Sequence, residues 1–238
     1  MEDMRTAVVT GGSSGIGLTI STDLLAEGWS VISVQRGVPD VESDRLTAVS
    51  ADLSTSDGIA ASLREIHALT RHVDLLVNNA GAIFEVEDLM EVTEQTMSSS
   101  WHLHTLSPLM LTRGLIDLLE ATPSPAVVNI GSVYGTVIDP EVIAYGSAKH
   151  GLGYVSAALA KALAPRIRVN ALNPGHVDTS MTRSAPPEFI ESVVAKTPLK
   201  RIADAAEISR VVRFLASSDA SFITGANLTV DGGFMAAR

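Results

Sequence analysis

The chain has 238 residues, 46% of them hydrophobic and 18% charged, which suits one domain with a large core rather than two small ones. The formal charge is -10 and no stretch gathers Lys or Arg, which excludes a nucleic-acid footprint. Without Cys there is neither a disulfide framework nor a thiolate metal site. The opening MEDMR has no apolar leader and no run is long enough to span a membrane, so a soluble, cytoplasmic protein is expected.

In chain order, β-branched runs fall at residues 6–10, 30–34, 46–51, 73–77, 126–130, 167–171 and 227–230, alternating with segments of helical period. This alternation predicts an α/β domain over residues 1–238: a doubly wound parallel sheet of seven strands with helices on both faces. Ile16, Ile20 and Leu24 give the first helix an apolar stripe, and Gly28 ends it. Residues 37–45, with Pro39, predict a loop. Leu152, Leu159 and Leu163 form a second stripe, stopped near Pro165. Residues 180–200 carry Pro186-Pro187 and Pro198 and break the pattern, as a substrate lid or an ordinary surface excursion would.

Three local patterns carry chemistry. The turn Thr10-Gly11-Gly12-Ser13-Ser14-Gly15-Ile16-Gly17 joins the first strand to the first helix. There, missing side chains let backbone approach a pyrophosphate, and the helix N-terminus faces its charge. Tyr145 and Lys149 stand four apart, on one face of a helix, and Ser132 follows a buried run upstream. Moving a phenol from pKa about 10 to about 7 requires roughly 4 kcal/mol of preference for the phenolate. An ammonium 4 to 5 Å away at an effective dielectric near 20 supplies about 3 to 4 kcal/mol. Lys149 is the candidate cation. Each pattern is weak alone, since a half-buried Tyr beside a solvated Lys is common, but their ordered coincidence points to a hydride-transfer site. His67, His72, His102, His150 and His176 show no ligand spacing, so no metal is expected.

Over nearly its whole length the chain resembles the short-chain dehydrogenase/reductases, and among them the 3-oxoacyl-thioester (acyl-carrier-protein) reductases. The resemblance rests on the glycine turn, Asp52-Leu53, Asn78-Asn79-Ala80-Gly81, Ser132, Tyr145, Lys149, Asn173-Pro174-Gly175 with Thr179, and Thr224-Gly225 through Asp231-Gly232-Gly233. It implies a Rossmann-type fold and a carbonyl reductase or alcohol dehydrogenase in which Ser132 and Tyr145 bind the substrate oxygen, with Lys149 beside the nicotinamide ribose. The dinucleotide would lie against Gly11, Ser13, Ser14, Gly15, Ile16 and Gly17. Further along it would meet Arg36, Asp52, Leu53, Asn79, Ala80 and Gly81, and then Tyr145, Lys149, Pro174, Gly175, Val177 and Thr179. Asp52 would hold the adenine amino group, or cap the next helix, or both. A homotetramer is implied as well.

One position departs from the family pattern. Where members usually carry an Asn in an Asn-Leu-x-x-Pro run, alignment on Pro108 puts His104. An imidazole could relay protons there and make turnover pH-sensitive, or could simply pack between helices. For the cofactor, Gln35 stands where an acid would favour NAD(H), and Arg36 follows it, so NADP(H) is expected over NAD(H). Tyr134, Val137, Ile138, Met181 and Phe189 suggest a small, mostly apolar substrate; Arg113, Lys196, Lys200 and Arg201 leave a charged carrier open. Two other readings are a cofactor-binding sensor or scaffold with little turnover, and a cofactor-free lyase on the same fold. The intact triad opposes the first, and the intact glycine turn the second.

Overall fold

The computed structural model describes residues 4–37, 41–83 and 89–237. Strands β1 (Thr6–Thr10), β2 (Ser30–Gln35), β3 (Leu46–Ser50), β4 (Leu75–Asn78), β5 (Ala126–Ile130), β6 (Arg168–Pro174) and β7 (Asn227–Val230) form one seven-stranded sheet ordered β3-β2-β1-β4-β5-β6-β7. Every pairing is parallel. All seven predicted strands are present, with shifted ends. The fourth starts at Leu75, and just before it the Asp74 carboxylate accepts the Thr6 N–H at 2.8 Å. The sixth runs on to Pro174, paired with Val230 of β7.

The helices are α1 (Gly15–Ala26), α2 (Ser56–Leu69), α3 (Glu94–Trp101), α4 (Ser107–Gly114), α5 (Ile116–Glu120), α6 (Ile143–Leu163), α7 (Ser180–Arg183), α8 (Pro187–Lys196) and α9 (Ala205–Ala216). Alternation along β1 separates two cores. Val8 packs with Ile59, Ile66, Leu111 and Leu159 from α2, α4 and α6. Ala7 and Val9 face the other way, onto Ile20 and Leu24 of α1 and Ile208, Val212 and Leu215 of α9. Burying a side chain of this size contributes about 1.5 to 3 kcal/mol, so Leu24→Ala, at a fully buried site, should cost about 2 to 5 kcal/mol.

From β1 the chain winds one way to β2 and β3, then crosses back to β4. That reversal opens a crevice at the carboxyl ends of β1 and β4. Among the described residues between β2 and β3 there is no helix; Pro39 lies outside them. Residues 180–200 hold α7 and α8. Pro187 opens α8 at a position where its missing N–H costs nothing, so the proline pair starts a helix as well as breaking one.

Candidate active site

The crevice is a 470 Å³ cleft. Gly11, Ser13, Ser14, Gly15 and Ile16 line it from the β1–α1 turn, and Asn79, Ala80 and Gly81 from the end of β4. Gly11 has φ +69°, a left-handed conformation that admits glycine without strain. Gly17, expected against the cofactor, is not on the wall. A side chain on it would put Cβ 2.3 Å from the Gly11 carbonyl oxygen and 2.5 Å from Asn79 Nδ2. Its role is to let α1 close onto the strand ends, one step behind the cradle. Asn79 ties those ends together: Nδ2 donates to the Thr10 carbonyl at 2.9 Å, and the N–H groups of Asn79 and Ala80 both donate to Thr10 Oγ1 at 2.9 Å.

Arg36, Asp52 and Leu53 line the far end of the cleft, and Pro174, Gly175, Val177 and Thr179 line it from β6 onward. Asp52 accepts the Ser54 N–H at 2.9 Å and the Ser54 hydroxyl at 2.6 Å. These bonds hold its carboxyl below the usual range, with Arg36 adding a smaller pull. The cap of α2 is Thr55, which accepts the Gly58 N–H at 3.1 Å, so Asp52 does not cap that helix. Gln35 is buried and takes the Ser33 hydroxyl on Oε1. Its Nε2 has no hydrogen-bond partner among the described residues.

At the other end, Ser132, Tyr145 and Lys149 converge on the same cleft. Ser132, just past β5, accepts the Tyr134 N–H at 3.2 Å and hydrogen-bonds the Tyr145 phenol. Lys149 is buried; Nζ donates to the Ile130 carbonyl at 2.7 Å and lies 5.7 Å from the centroid of the Tyr145 ring. Among the described residues it makes no ion pair. Burial without a carboxylate lowers its pKa to about 7. Burial also pushes the Tyr145 phenol up, with the Ser132 bond pulling the other way. The phenol depressed by a neighbouring ammonium, expected from spacing alone, is therefore not what this environment produces. Desolvation acts on both groups and disfavours both charges.

His104 lies close behind this group. It sits in a π-helical turn, His102–Leu106, between α3 and α4, fully buried and off the cleft wall. Nδ1–H donates to the Ser100 carbonyl at 2.9 Å, and Nε2 accepts the Ala82 N–H at 3.2 Å, which selects one neutral tautomer. Burial, and then the charge of Lys149, takes its pKa down to about 3. Both nitrogens of the ring are taken up by backbone groups. The ring meets that of Tyr145 edge-on, centroids 5.1 Å apart. Next to it, Thr105 Oγ1 donates to the Ala148 carbonyl at 2.7 Å, joining this turn to α6.

Of the residues expected around a substrate, Tyr134 and Met181 line the cleft. Val137 is buried with Val133 and Phe234, Ile138 is 91% exposed, and Phe189 meets His176 rather than the wall. Arg113, Lys196, Lys200 and Arg201 all lie off the cleft. His176, weighed in the sequence only as a metal ligand, lines the cleft. Its place directly after Asn173-Pro174-Gly175, at the carboxyl end of a parallel strand, was the available signal. Among the described residues no three His, Asp or Glu groups gather to hold a metal, and no helix is long and apolar enough to cross a membrane.

A hydroxyl and a phenol, hydrogen-bonded at the end of a crevice with an ammonium close by, can bind and protonate a carbonyl oxygen. The glycine cradle, together with a Lys149 ammonium that has no carboxylate and a Gln35 amide that has no partner among the described residues, fits a long anionic dinucleotide in the rest of the cleft. A family model described as Enoyl-(Acyl carrier protein) reductase matches residues 11–235. The chain belongs to the short-chain dehydrogenase/reductase family.

This dehydrogenase/reductase is 34% identical over 237 residues to the 3-oxoacyl-[acyl-carrier-protein] reductase FabG of Salmonella typhimurium, covering 96% of each chain. Among solved structures it is similar to a 4-hydroxyisoleucine dehydrogenase complexed with NADH, at 26% identity and TM-score 0.92, covering 98% of this chain and 100% of the other. It is also similar to L-sorbose reductase of Gluconobacter frateurii, complexed with NADPH and L-sorbose. That match has 28% identity and TM-score 0.88, covering 98% of this chain and 97% of the other. The short-chain dehydrogenase/reductase described here is thus an oxidoreductase with a nicotinamide cofactor.

Proposed function

We propose that the enzyme moves hydride between NADP(H) and the carbonyl or secondary-alcohol carbon of a small, uncharged substrate, with Ser132, Tyr145 and Lys149 as its catalytic residues. The observation that carries this reading is their convergence at one end of a single cleft, with Ser132 bonded to the phenol and Lys149 facing no carboxylate. The bound nicotinamide supplies or accepts the hydride. Ser132 and Tyr145 donate hydrogen bonds to the substrate oxygen and strengthen them as negative charge builds on it. Tyr145 then passes its proton to that oxygen, and takes it back in the reverse direction. Its raised pKa keeps the phenol protonated near neutrality, the state that reduction needs. Lys149, with a pKa of about 7, carries its charge close to the phenol when the pH falls or an anion binds nearby. His104 holds Tyr145 from behind and is a positioning residue.

Three finer assignments belong to the same proposal. NADP(H) is favoured because Gln35 brings no negative charge to the end of β2 while the exposed Arg36 lines the cleft beside Asp52. Residues 180–200 form the substrate lid: Ser180, Met181 and Thr182 face the cleft, while α8 rests on the body through Val193 and through Phe189 on His176. A homo-oligomer covers Trp101, Tyr154 and Phe222, which are 48%, 78% and 103% exposed. The test is the loss of reduced-nicotinamide absorbance when the protein meets NADPH or NADH and a panel of ketones. Oxidation, faster with NADPH, is expected. Uptake of dinucleotide without oxidation of any ketone would favour the sensor or scaffold, and failure to take up either dinucleotide would remove both readings.

A further inference from the structure

We infer that Asn129 and Ser156 are positioning residues: a buried line of hydrogen bonds through them fixes where α6 sits on β5, and so where Tyr145 and Lys149 stand relative to Ser132. The inference rests on the proposed roles of those three residues and adds what holds them in place. Asn78 of β4 and Asn129 of β5 are partners across the sheet, and Asn78 Nδ2 donates to Asn129 Oδ1 at 2.8 Å. Asn129 Nδ2 donates to Ser156 Oγ on α6 at 2.8 Å, and the Ser156 hydroxyl donates to the Leu152 carbonyl at 2.7 Å. Thr112 of α4 joins from the side, its Oγ1 3.3 Å from Asn78 Nδ2. All four side chains are buried.

Each bond in the line sets the sense of the next. A carbonyl only accepts, so the Ser156 hydrogen is spent on Leu152 and its oxygen turns a lone pair to Asn129. Asn129 therefore turns its NH2 to the helix and its oxygen to β4. The line ties together β4, which runs straight on into Asn79, β5, which runs on toward Ser132, and the helix that carries Tyr145 and Lys149.

Its place on α6 decides what it controls. Lys149, Leu152 and Ser156 fall at i, i+3 and i+7 on the buried face of the helix, with Tyr145 one turn before Lys149. On β5, Asn129 directly precedes Ile130, whose carbonyl takes Lys149 Nζ at 2.7 Å. Strand and helix are thus joined at the reacting lysine and again at Ser156, two turns further along. Around this second tie the contact is hydrocarbon, with Val127, Leu159 and Ala160 in one apolar cluster. Apolar surfaces lose a unique arrangement before they lose stability, whereas a hydrogen bond weakens once its partners shift by a few tenths of an ångström. A polar line through such a core costs desolvation and fixes register.

The experiment compares Asn129→Leu, Ser156→Ala and the double variant with the native enzyme, using NADPH and the ketone the native enzyme reduces fastest. Each single change leaves a buried polar group unpaired, so the thermal midpoint should fall by about 2 to 10 °C. The double variant removes both partners and should regain at least about half of that loss. Its kcat should nonetheless stay about 10- to 100-fold down, the range of a small misplacement of reacting groups, with the NADPH dissociation constant within about threefold of native. A kcat that recovers together with the midpoint would overturn the inference, since the line would then be structural only. Should the double variant fail to fold, Ser156→Thr, which keeps the hydroxyl, should hold kcat within about threefold while Ser156→Ala lowers it about tenfold; equal effects would overturn it. Carbon NMR of the Lys149 ε-methylene reads position without turnover. Its titration midpoint, about 7 in the native protein, should rise by at least about half a pH unit in Ser156→Ala, as a displaced helix lets water reach the ammonium. If no ketone oxidises NADPH, the proposed reaction fails and this titration decides the positioning alone, an unmoved midpoint sinking it.

Discussion

The two ends of the cleft are built by opposite means. The end proposed for the phosphates is made by leaving atoms out: Gly11 takes a left-handed turn and Gly17 lets a helix press against a carbonyl oxygen, so that backbone forms the surface. The reacting end is made by putting polar atoms where water cannot follow. Lys149 and His104 are both buried and both pushed below their ordinary pKa. The first end needs shape, and changes there should act on cofactor binding. The second needs controlled desolvation, and changes there should act on turnover and on how the site answers pH.

The largest expected effect is at the reacting end. Tyr145→Phe should lower turnover about 10³-fold, in the range of a lost general acid, while the NADPH dissociation constant measured by fluorescence moves less than about tenfold. Gly17→Ala should do the reverse. Its Cβ would strain the loop by up to about 3 kcal/mol, raising the dissociation constant about 100-fold with less effect on kcat at saturation. A Gly17→Ala protein with intact binding and failed turnover would break the comparison.

Arg36→Asp sharpens it, because it alters charge at the shape-built end. Losing a charge-assisted contact to phosphate costs about 1.5 to 3 kcal/mol, so the NADPH to NADH preference in kcat/KM should fall roughly 10- to 100-fold. At the reacting end, His104→Ala should lower kcat about tenfold and stability by about 2 to 4 kcal/mol, since it opens a cavity and leaves the Ala82 N–H without its acceptor. His104→Asn should recover part of both. Neither variant should move the inflections of the pH-rate profile, because the native ring is neutral above about pH 3. The same shift predicts a pH dependence of stability. Between pH 6.5 and about 3 the unfolded imidazole binds a proton that the folded one refuses, so denaturant midpoints should fall as the pH is lowered through that window.

The smallest effect is a fraction of one proton. At pH 8 the free enzyme holds Lys149 mostly neutral, since its pKa is about 7. An anionic dinucleotide favours the cation, so calorimetry in buffers of different ionisation enthalpy should show proton uptake on NADPH binding, lost in Lys149→Met. Release of a proton, or uptake unchanged in Lys149→Met, would show that the charge of Lys149 is not what the cofactor senses.

The strands were legible because β-branched runs and helical periods are local signals, and the core alternation around Val8 follows from them. Their ends were less so: at the start of β4 the Asp74 carboxylate takes the N–H of Thr6, 68 residues away in sequence, a contact that no local pattern announces. The proline pair at 186–187 misled in part, because a helix start tolerates proline for a reason that pattern reading treats as an interruption. Asp52 could be read as a helix cap from its neighbours, yet Thr55 is the cap, three residues nearer the helix.

At the site, the spacing of Tyr145 and Lys149 and the glycines of the first turn are sequence properties, since helical period and missing side chains do not depend on distant residues. The environment of those groups is not a sequence property. That burial would raise the phenol and lower the ammonium, that His104 would be locked neutral between Ser100 and Ala82, and that His176 would meet Tyr134 across the cleft all depend on contacts between remote segments. The chain alone therefore specified the fold class and the residue types of the candidate site. Tertiary structure decided their protonation and their neighbours, because desolvation and hydrogen bonding act through space.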